Sequence, residues 1–175
     1  MKRVSLLLSG VCLLLVGEWT HDARAESPDE MERRKALQSL METNRRAFPG
    51  VPEVDAAALI KLVSEKKVVL VDVRTKKEQA VSMIPGAITA AEFEKNPNLY
   101  KNKTIVSYCT VGYRSAKYAQ QMNRKGVAMR SFNGSVIGWC QSNQPLTGAD
   151  GKETRRVHTY GPKWNLLPPE YEAVW

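Results

Sequence analysis

Thr104-Ile105-Val106-Ser107-Tyr108-Cys109-Thr110-Val111-Gly112-Tyr113-Arg114-Ser115 is the stretch whose reading decides the fold. Its first five residues form an apolar run that reads as a buried strand, and Ser115 to Lys125, closed by Gly126, reads as a helix. The thiol of Cys109 thus falls in a tight loop where a helix begins. A helix N-terminus presents unpaired N–H groups and the positive end of the macrodipole, and both favour negative charge on a sulfur placed there. Cys109 is therefore a candidate nucleophile. Arg114, a cation in the first turn, is unfavourable unless an anion sits between it and the N–H groups, so the loop is expected to receive an anionic substrate. An alternative role for Arg114 is a structural pair with Glu78 or Asp72. Gly112 reads as a position of positive φ or of close approach to substrate. Thr110 and Tyr113 are expected to shape the pocket mouth.

Outward from this stretch the pattern is that of an α/β unit. Val68 to Val71 is unbroken apolar sequence, as in a strand covered on both faces of a parallel sheet. Short helices are predicted near Lys76 to Val81 and Ala91 to Lys95, a strand near Met129 to Phe132, and a helix near Ser135 to Gln141. Upstream, Ser27-Pro28-Asp29-Glu30 supplies an N-cap, a first-position proline and a capping box. Leu37, Leu40, Met41, Asn44 and Phe48 then share one face of a helix that stops before Pro49. Pro49 to Pro52 reads as a linker, after which Asp55 caps a helix running to about Val63. Downstream, Asp150-Gly151 is a turn between extended pieces at Leu146-Thr147 and Thr154 to Val157. His158 to Trp175 is rich in aromatic residues and proline and lacks helical or strand periodicity. It is too hydrophobic for a disordered tail and is expected to lie ordered across the domain.

Cys109-Thr-Val-Gly112-Tyr-Arg114-Ser115 resembles the active-site loop of the rhodanese (sulfurtransferase) family. Val69-Leu70-Val71-Asp72-Val73-Arg74, followed by Glu78, is similar to that family's strand ending in Asp-x-Arg, and Ile84-Pro85-Gly86-Ala87-Ile88 to its Ile-Pro-Gly-Ala segment. Asn133-Gly134-Ser135-Val136-Ile137-Gly138-Trp139, with Pro145 beyond it, resembles its closing Gly-Gly-x-x-x-Trp. The likeness runs from about Val54 to Leu146. It implies a rhodanese-like parallel sheet flanked by helices, here with an N-terminal helix and an ordered C-terminal extension. Thr110 stands where many active sulfurtransferases carry Arg, which bears on the choice of sulfur donor. Ser82-Met83 replaces Gly-His, and Ser135 replaces the second Gly; these are expected to affect local packing alone.

Length and composition allow one domain with extensions: an export signal at 1–25, a helix and linker at 26–50, the rhodanese-like domain at 51–147 and an extension at 148–175. In the signal, Lys2-Arg3 precedes an apolar run from Val4 to Val16, and Ala23-Arg24-Ala25 offers a cleavage site before Glu26. The run is too short to span a bilayer as an ordinary helix, so no stable membrane anchor is expected. Cys12 lies inside it, and Val11 before it is not the small residue that lipid attachment requires. The mature chain would keep Cys109 and Cys140, too few for a disulfide-built scaffold. The net charge of +8 would fall to +7 on loss of the signal. The basic residues come in scattered pairs, such as Lys66-Lys67 and Lys76-Lys77, without interleaved aromatics, which argues against nucleic acid as partner. The address expected is exported, the periplasm in a bacterium.

The resemblance implies a two-step chemistry at Cys109. Its thiolate takes the outer sulfur of thiosulfate or a similar small anionic donor, and the persulfide then passes that sulfur to a thiol or cyanide. N–H groups from Thr110, Val111, Gly112, Tyr113, Arg114 and Ser115 would cradle the terminal sulfur, Arg114 would hold the oxyanion end, and Asp72 and Arg74 would support the base of the loop. Neither metal nor organic cofactor is called for. His158 is the one histidine after the signal, too few for a metal site, and a Cys–His protease would leave the rhodanese-like loop unexplained. Four residues between Cys109 and Arg114, where a Cys-x5-Arg phosphatase needs five, favour sulfur over phosphate. Two other readings stay open. One is a non-enzymatic sulfur carrier or partner-binding domain that docks through the C-terminal extension and first helix. The other is a thiol redox protein pairing Cys109 with Cys140.

Overall fold

Residues 26–175 are described by the structure, a computed structural model. The export signal expected at 1–25, with Cys12, lies outside the described residues. A parallel sheet of five strands, in the order β1-β5-β4-β2-β3, forms the centre. The strands are β1 (Glu53–Val54), β2 (Val68–Asp72), β3 (Ile88–Thr89), β4 (Thr104–Tyr108) and β5 (Met129–Phe132). Alternation along the central strands explains why they are apolar throughout: Leu70, Val106 and Tyr108 enter one buried cluster, while Val69, Val71 and Ile105 enter another. Each sequence run thus feeds two cores.

Helices α1 (Pro28–Ala47), α2 (Ala56–Ser64), α3 (Lys76–Val81), α4 (Ala90–Lys95), α5 (Tyr113–Arg124) and α6 (Ser135–Gln141) flank the sheet. Their starts follow local chemistry. Ser27 with Glu30, Thr75 with Glu78 and Thr89 with Glu92 each form a reciprocal capping box, and Asp55 accepts from the Ala58 N–H. Helix α5 begins at Tyr113, two residues before its expected start, because Gly112 takes the N-cap position.

Strand register sets the site. Asp72 and Tyr108 are partners at the C-terminal ends of β2 and β4, the end at which parallel α/β sheets bind ligands. The two-residue edge strands β1 and β3 escaped sequence reading because two residues carry no periodicity.

Beyond α6, β6 (Leu146–Thr147) and β7 (Glu153–Thr154) form the expected antiparallel pair around Asp150-Gly151. The extended piece expected from Thr154 to Val157 is divided, since β8 (Arg156–His158) turns away to pair in parallel with β9 (Glu172–Val174). The tail is ordered, as anticipated, but it contains strands that its sequence pattern did not show. Val157, Leu167 and Tyr171 enter the main core, and the Tyr171 hydroxyl donates to the Gln144 carbonyl at 2.7 Å. Helix α1 enters the same core, laying Leu37 against α6 within 3.7 Å of where a side chain on Gly138 would begin. No helix among the described residues is long and apolar enough to cross a membrane.

Candidate active site

Strand β4 delivers Cys109 to the floor of a loop that turns directly into α5. Gly112 makes the turn at φ +99°, and its N–H donates to the Cys109 Sγ at 3.2 Å. A Cβ at this position would strike the Asn133 carbonyl and lie 2.7 Å from the Asn44 amide nitrogen, so glycine is required by conformation and by space together. Neighbouring elements hold the loop from several sides. The Asn44 side chain of α1 donates to the Val111 carbonyl at 2.8 Å, and the Ser115 hydroxyl to the Gly112 carbonyl at 3.0 Å. From α6, the Val136 N–H donates to the Cys109 carbonyl at 3.1 Å and the Ile137 N–H to that of Thr110 at 3.3 Å.

Ser135 corrects the expectation that its substitution alters packing alone. Its hydroxyl accepts the Cys109 N–H at 3.1 Å and stands 3.8 Å from the Cys109 sulfur, with the backbone at φ +51°. Ser135 thus fixes the place of Cys109 at the end of β4. Ser82 likewise does more than pack: its hydroxyl donates to the Arg156 carbonyl at 2.6 Å, tying the domain to the extension. Strand order held the signal for Ser135, because β5 lies beside β4 and the residues leaving one must face those leaving the other.

Two ion pairs frame the loop, one buried and one half-buried. Asp72 and Arg74 are wholly enclosed: the guanidinium donates to Oδ1 of the carboxylate at 3.0 Å and to Oδ2 at 2.7 Å, and to the Ser82 carbonyl at 2.6 Å. The Tyr108 hydroxyl donates to Asp72 at 2.7 Å and accepts the Ile84 N–H at 3.1 Å. Burial, reinforced by Asp72, pushes the Tyr108 phenol well up, so it stays protonated and keeps donating. This network ties together the strand ends beneath the loop.

Glu78 and Arg114 form the second pair. The carboxylate takes two bonds from the guanidinium, one from the Thr110 hydroxyl at 2.9 Å and others from Thr75. Burial alone would raise the Glu78 carboxyl, but the bonds from Arg114 and Thr75 overcome it and bring it down to about 2. Arg114 is raised chiefly by its bond to Glu78. The structural pair foreseen as the alternative for Arg114 is therefore formed, and the cation is not free to serve an anion alone.

Cys109, Thr110, Val111, Tyr113 and Arg114 line a cavity of about 450 Å³. Its remaining wall comes from outside the core domain: Leu40, Thr43 and Asn44 of α1, and Tyr160 and Trp164 of the extension. No pattern in the sequence places these two segments at the Cys109 sulfur. The one hint was Asn44, a polar residue in the otherwise apolar stripe of α1. Gly112 and Ser115 act behind the wall, through the loop bonds above. Cys140 belongs elsewhere, on α6 beside a separate cavity of about 240 Å³, and both cysteines are free thiols. Burial pushes the Cys140 thiol well up. His158 is a buried residue of β8 whose Nδ1 accepts the Tyr160 N–H at 3.1 Å; burial lowers it from its ordinary range.

Residues 55–142 match the sequence profile of the Rhodanese-like domain. Over 106 residues the chain is 28% identical to a sulfurtransferase of Allochromatium vinosum, an alignment covering 58% of this chain and 99% of that protein. The BH2092 protein of Bacillus halodurans has a similar structure, with a TM-score of 0.51 and 22% identity over 71% of this chain and 89% of its own. Thiosulfate sulfurtransferase of Pseudomonas aeruginosa gives a TM-score of 0.52 at 22% identity, over 69% of this chain and 23% of its own. The two structural likenesses speak for the fold. Helix α1 and the extension lie outside residues 55–142, the stretch that matches the Rhodanese-like domain.

Proposed function

The chain belongs to the rhodanese-like family, and on that premise we propose that it is a sulfurtransferase carrying a sulfane sulfur as a persulfide on Cys109. Likeness to a sulfurtransferase over almost the whole of that relative supports a general role in sulfur transfer. The observation that carries the finer reading is the Gly112 N–H aimed at the Cys109 sulfur at 3.2 Å, from a loop that opens into a cavity.

The Cys109 thiolate attacks the outer sulfur of thiosulfate or a related donor. The donor's S–S bond breaks and its electron pair leaves with sulfite, while a new S–S bond forms at Cys109. A thiol or cyanide then attacks the outer sulfur and returns the Cys109 thiolate. Between the two steps, N–H groups of the loop stabilise the terminal sulfur as an oxyanion hole stabilises an oxygen. Ser135 and Gly112 fix the inner sulfur. The reaction is proposed to run outside the cytoplasm, a reading supported by Lys2-Arg3, the apolar run and Ala23-Arg24-Ala25; a processed chain beginning at Glu26 in the periplasmic extract of a bacterial host is the result expected.

Intact mass after thiosulfate treatment, with sulfite assayed alongside, tests the chemistry. One added sulfur, lost on addition of cyanide and absent from Cys109→Ser, is the expected outcome. A wild-type protein that takes up no sulfur from thiosulfate or from any organic sulfane donor would sink the proposal.

A further inference from the structure

The cavity in front of Cys109 is large and apolar for a site that would take an inorganic dianion. About 450 Å³ lies within the roughly 300–1,000 Å³ of pockets that enclose organic ligands. Leu40 and Val111 supply aliphatic wall, and Tyr113, Tyr160 and Trp164 supply three aromatic rings. Each ring has a neighbour: Phe48 packs edge-on against Tyr113 at 5.0 Å, Arg114 lies over Tyr160 at 5.6 Å and Lys163 over Trp164 at 4.6 Å, while Tyr113 and Tyr160 keep 51% and 64% of their surface open to a ligand. Among the described residues lining the cavity, Arg114 carries the one positive charge, and Glu78 already balances it through two hydrogen bonds. Thr110, whose hydroxyl donates to Glu78 as well, adds no cation.

We infer that the sulfur donor preferred at Cys109 is a small organic sulfane-sulfur compound with an aromatic or bulky apolar body, selected by walls that α1 and the C-terminal extension build over the core domain. This rests on the persulfide reading above and names its substrate class. For an organic hydropersulfide, R–S–SH, the Cys109 thiolate attacks the outer sulfur. The donor's S–S bond breaks with its electron pair going to the inner sulfur. R–S⁻ leaves, and Cys109–S–SH retains the proton on the transferred sulfur. The apolar R group stays against Trp164, Tyr160 and Leu40, while the loop N–H groups meet the sulfur.

Benzenethiosulfonate and thiosulfate make a matched pair of probes, because a phenyl group in one replaces an anionic oxygen in the other and the transferred sulfur is the same. In each, the outer sulfur moves to Cys109 and a sulfinate or sulfite leaves with the bonding pair. Rates of Cys109 persulfide formation in the full chain are measured for both, with methanethiosulfonate as the small apolar control, each normalised to its rate with free cysteine. Benzenethiosulfonate is expected to exceed both others in normalised kcat/KM by roughly tenfold or more, the scale on which apolar contacts discriminate substrates. Trp164→Ala and Tyr160→Ala are each expected to shrink that ratio at least about threefold, with the fold checked by circular dichroism. Equal or faster loading from thiosulfate would overturn the inference and leave sulfur transfer standing, and that comparison needs no variant. A preference unchanged in both variants would overturn its assignment to these walls. No loading from any of the three donors would remove the persulfide reading itself.

Discussion

Glu78 accepts hydrogen bonds from both terminal nitrogens of Arg114, at 2.6 and 2.8 Å, with its own carboxylate 1% exposed and the guanidinium 35% exposed. The same carboxylate closes the capping box of α3 and takes the Thr110 hydroxyl. One acidic side chain therefore joins the strand-end helix α3 to the Cys109 loop, and it fixes how much positive charge the loop offers a ligand.

Glu78→Gln keeps the shape and removes the charge. Breaking one side of a buried ion pair is costly, though partial exposure of Arg114 lets water share the loss. The variant is expected to lose about 2–3 kcal/mol of stability in urea denaturation. Its released guanidinium becomes available to anions, so KM for thiosulfate should fall relative to wild type while KM for an uncharged-bodied thiosulfonate changes less. Unchanged stability together with an unchanged thiosulfate KM would contradict this account of the pair.

The pH dependence follows from the same group. Glu78 titrates at about 2 in the fold and near 4.5 when unfolded, so between those values the unfolded chain binds the extra proton. Stability from this source is complete above pH 4.5 and is lost as pH falls toward 2, by roughly 3 kcal/mol in all. Glu92, lowered by its bonds from Thr89, acts in the same direction. Urea titrations at stepped pH should show the decline in wild type and a shallower one in Glu78→Gln.

Much of this site could be read from sequence where local chemistry and pattern agree. The apolar run of β4, the capping residues Ser27, Asp55 and Glu30, and the loop from Cys109 to Ser115 each announce their structure within a few residues. What stayed hidden depends on distant chain. Asn44 reaches Val111 across 67 positions, Ser135 meets Cys109 across 26, and Tyr160 reaches Arg114 through a tail without periodicity. Strands β8 and β9 pair because Val157 and Tyr171 find the core, a tertiary effect that three-residue patterns cannot encode. Arg114 had two readings from sequence, and the depth of Glu78 decides for the pair.

Gly112→Ala tests the loop. The substitution places a side chain in the left-handed region and against the Asn133 carbonyl, and either effect must shift the N–H that faces Cys109. Strain of this kind costs on the order of 1–3 kcal/mol. Persulfide formation is expected to drop at least about tenfold, as loss of an oriented donor to a developing charge would give. Retention of the wild-type loading rate would show that this N–H does not serve the sulfur.

The extension is structural as well as a cavity wall. Leu167 is buried in the main core beside Val157 and Tyr171. Leu167→Ala should therefore cost about 2–4 kcal/mol in chemical denaturation, the range for a core leucine, rather than the few tenths typical of a surface tail. Proteolysis of the variant should begin within 148–175, where the loosened segment lies.

Cys140 decides between sulfur carriage and thiol redox work. The two thiols line different cavities: Cys109 the one walled by Leu40, Tyr160 and Trp164, and Cys140, a turn and a half beyond Ser135 on α6, the one walled by Arg33, Arg34 and Leu166. Its thiol is pushed up by burial, so it is a poor thiolate and a slow resolving partner. Cys140→Ala is expected to load and release sulfur within about twofold of wild type and to cost about 1 kcal/mol for the small cavity left behind. Wild-type protein treated with a mild oxidant, denatured and labelled with maleimide should show no Cys109–Cys140 disulfide by mass. Finding that disulfide, together with loss of turnover in Cys140→Ala, would replace the sulfur-transfer proposal at Cys109 with reversible thiol oxidation.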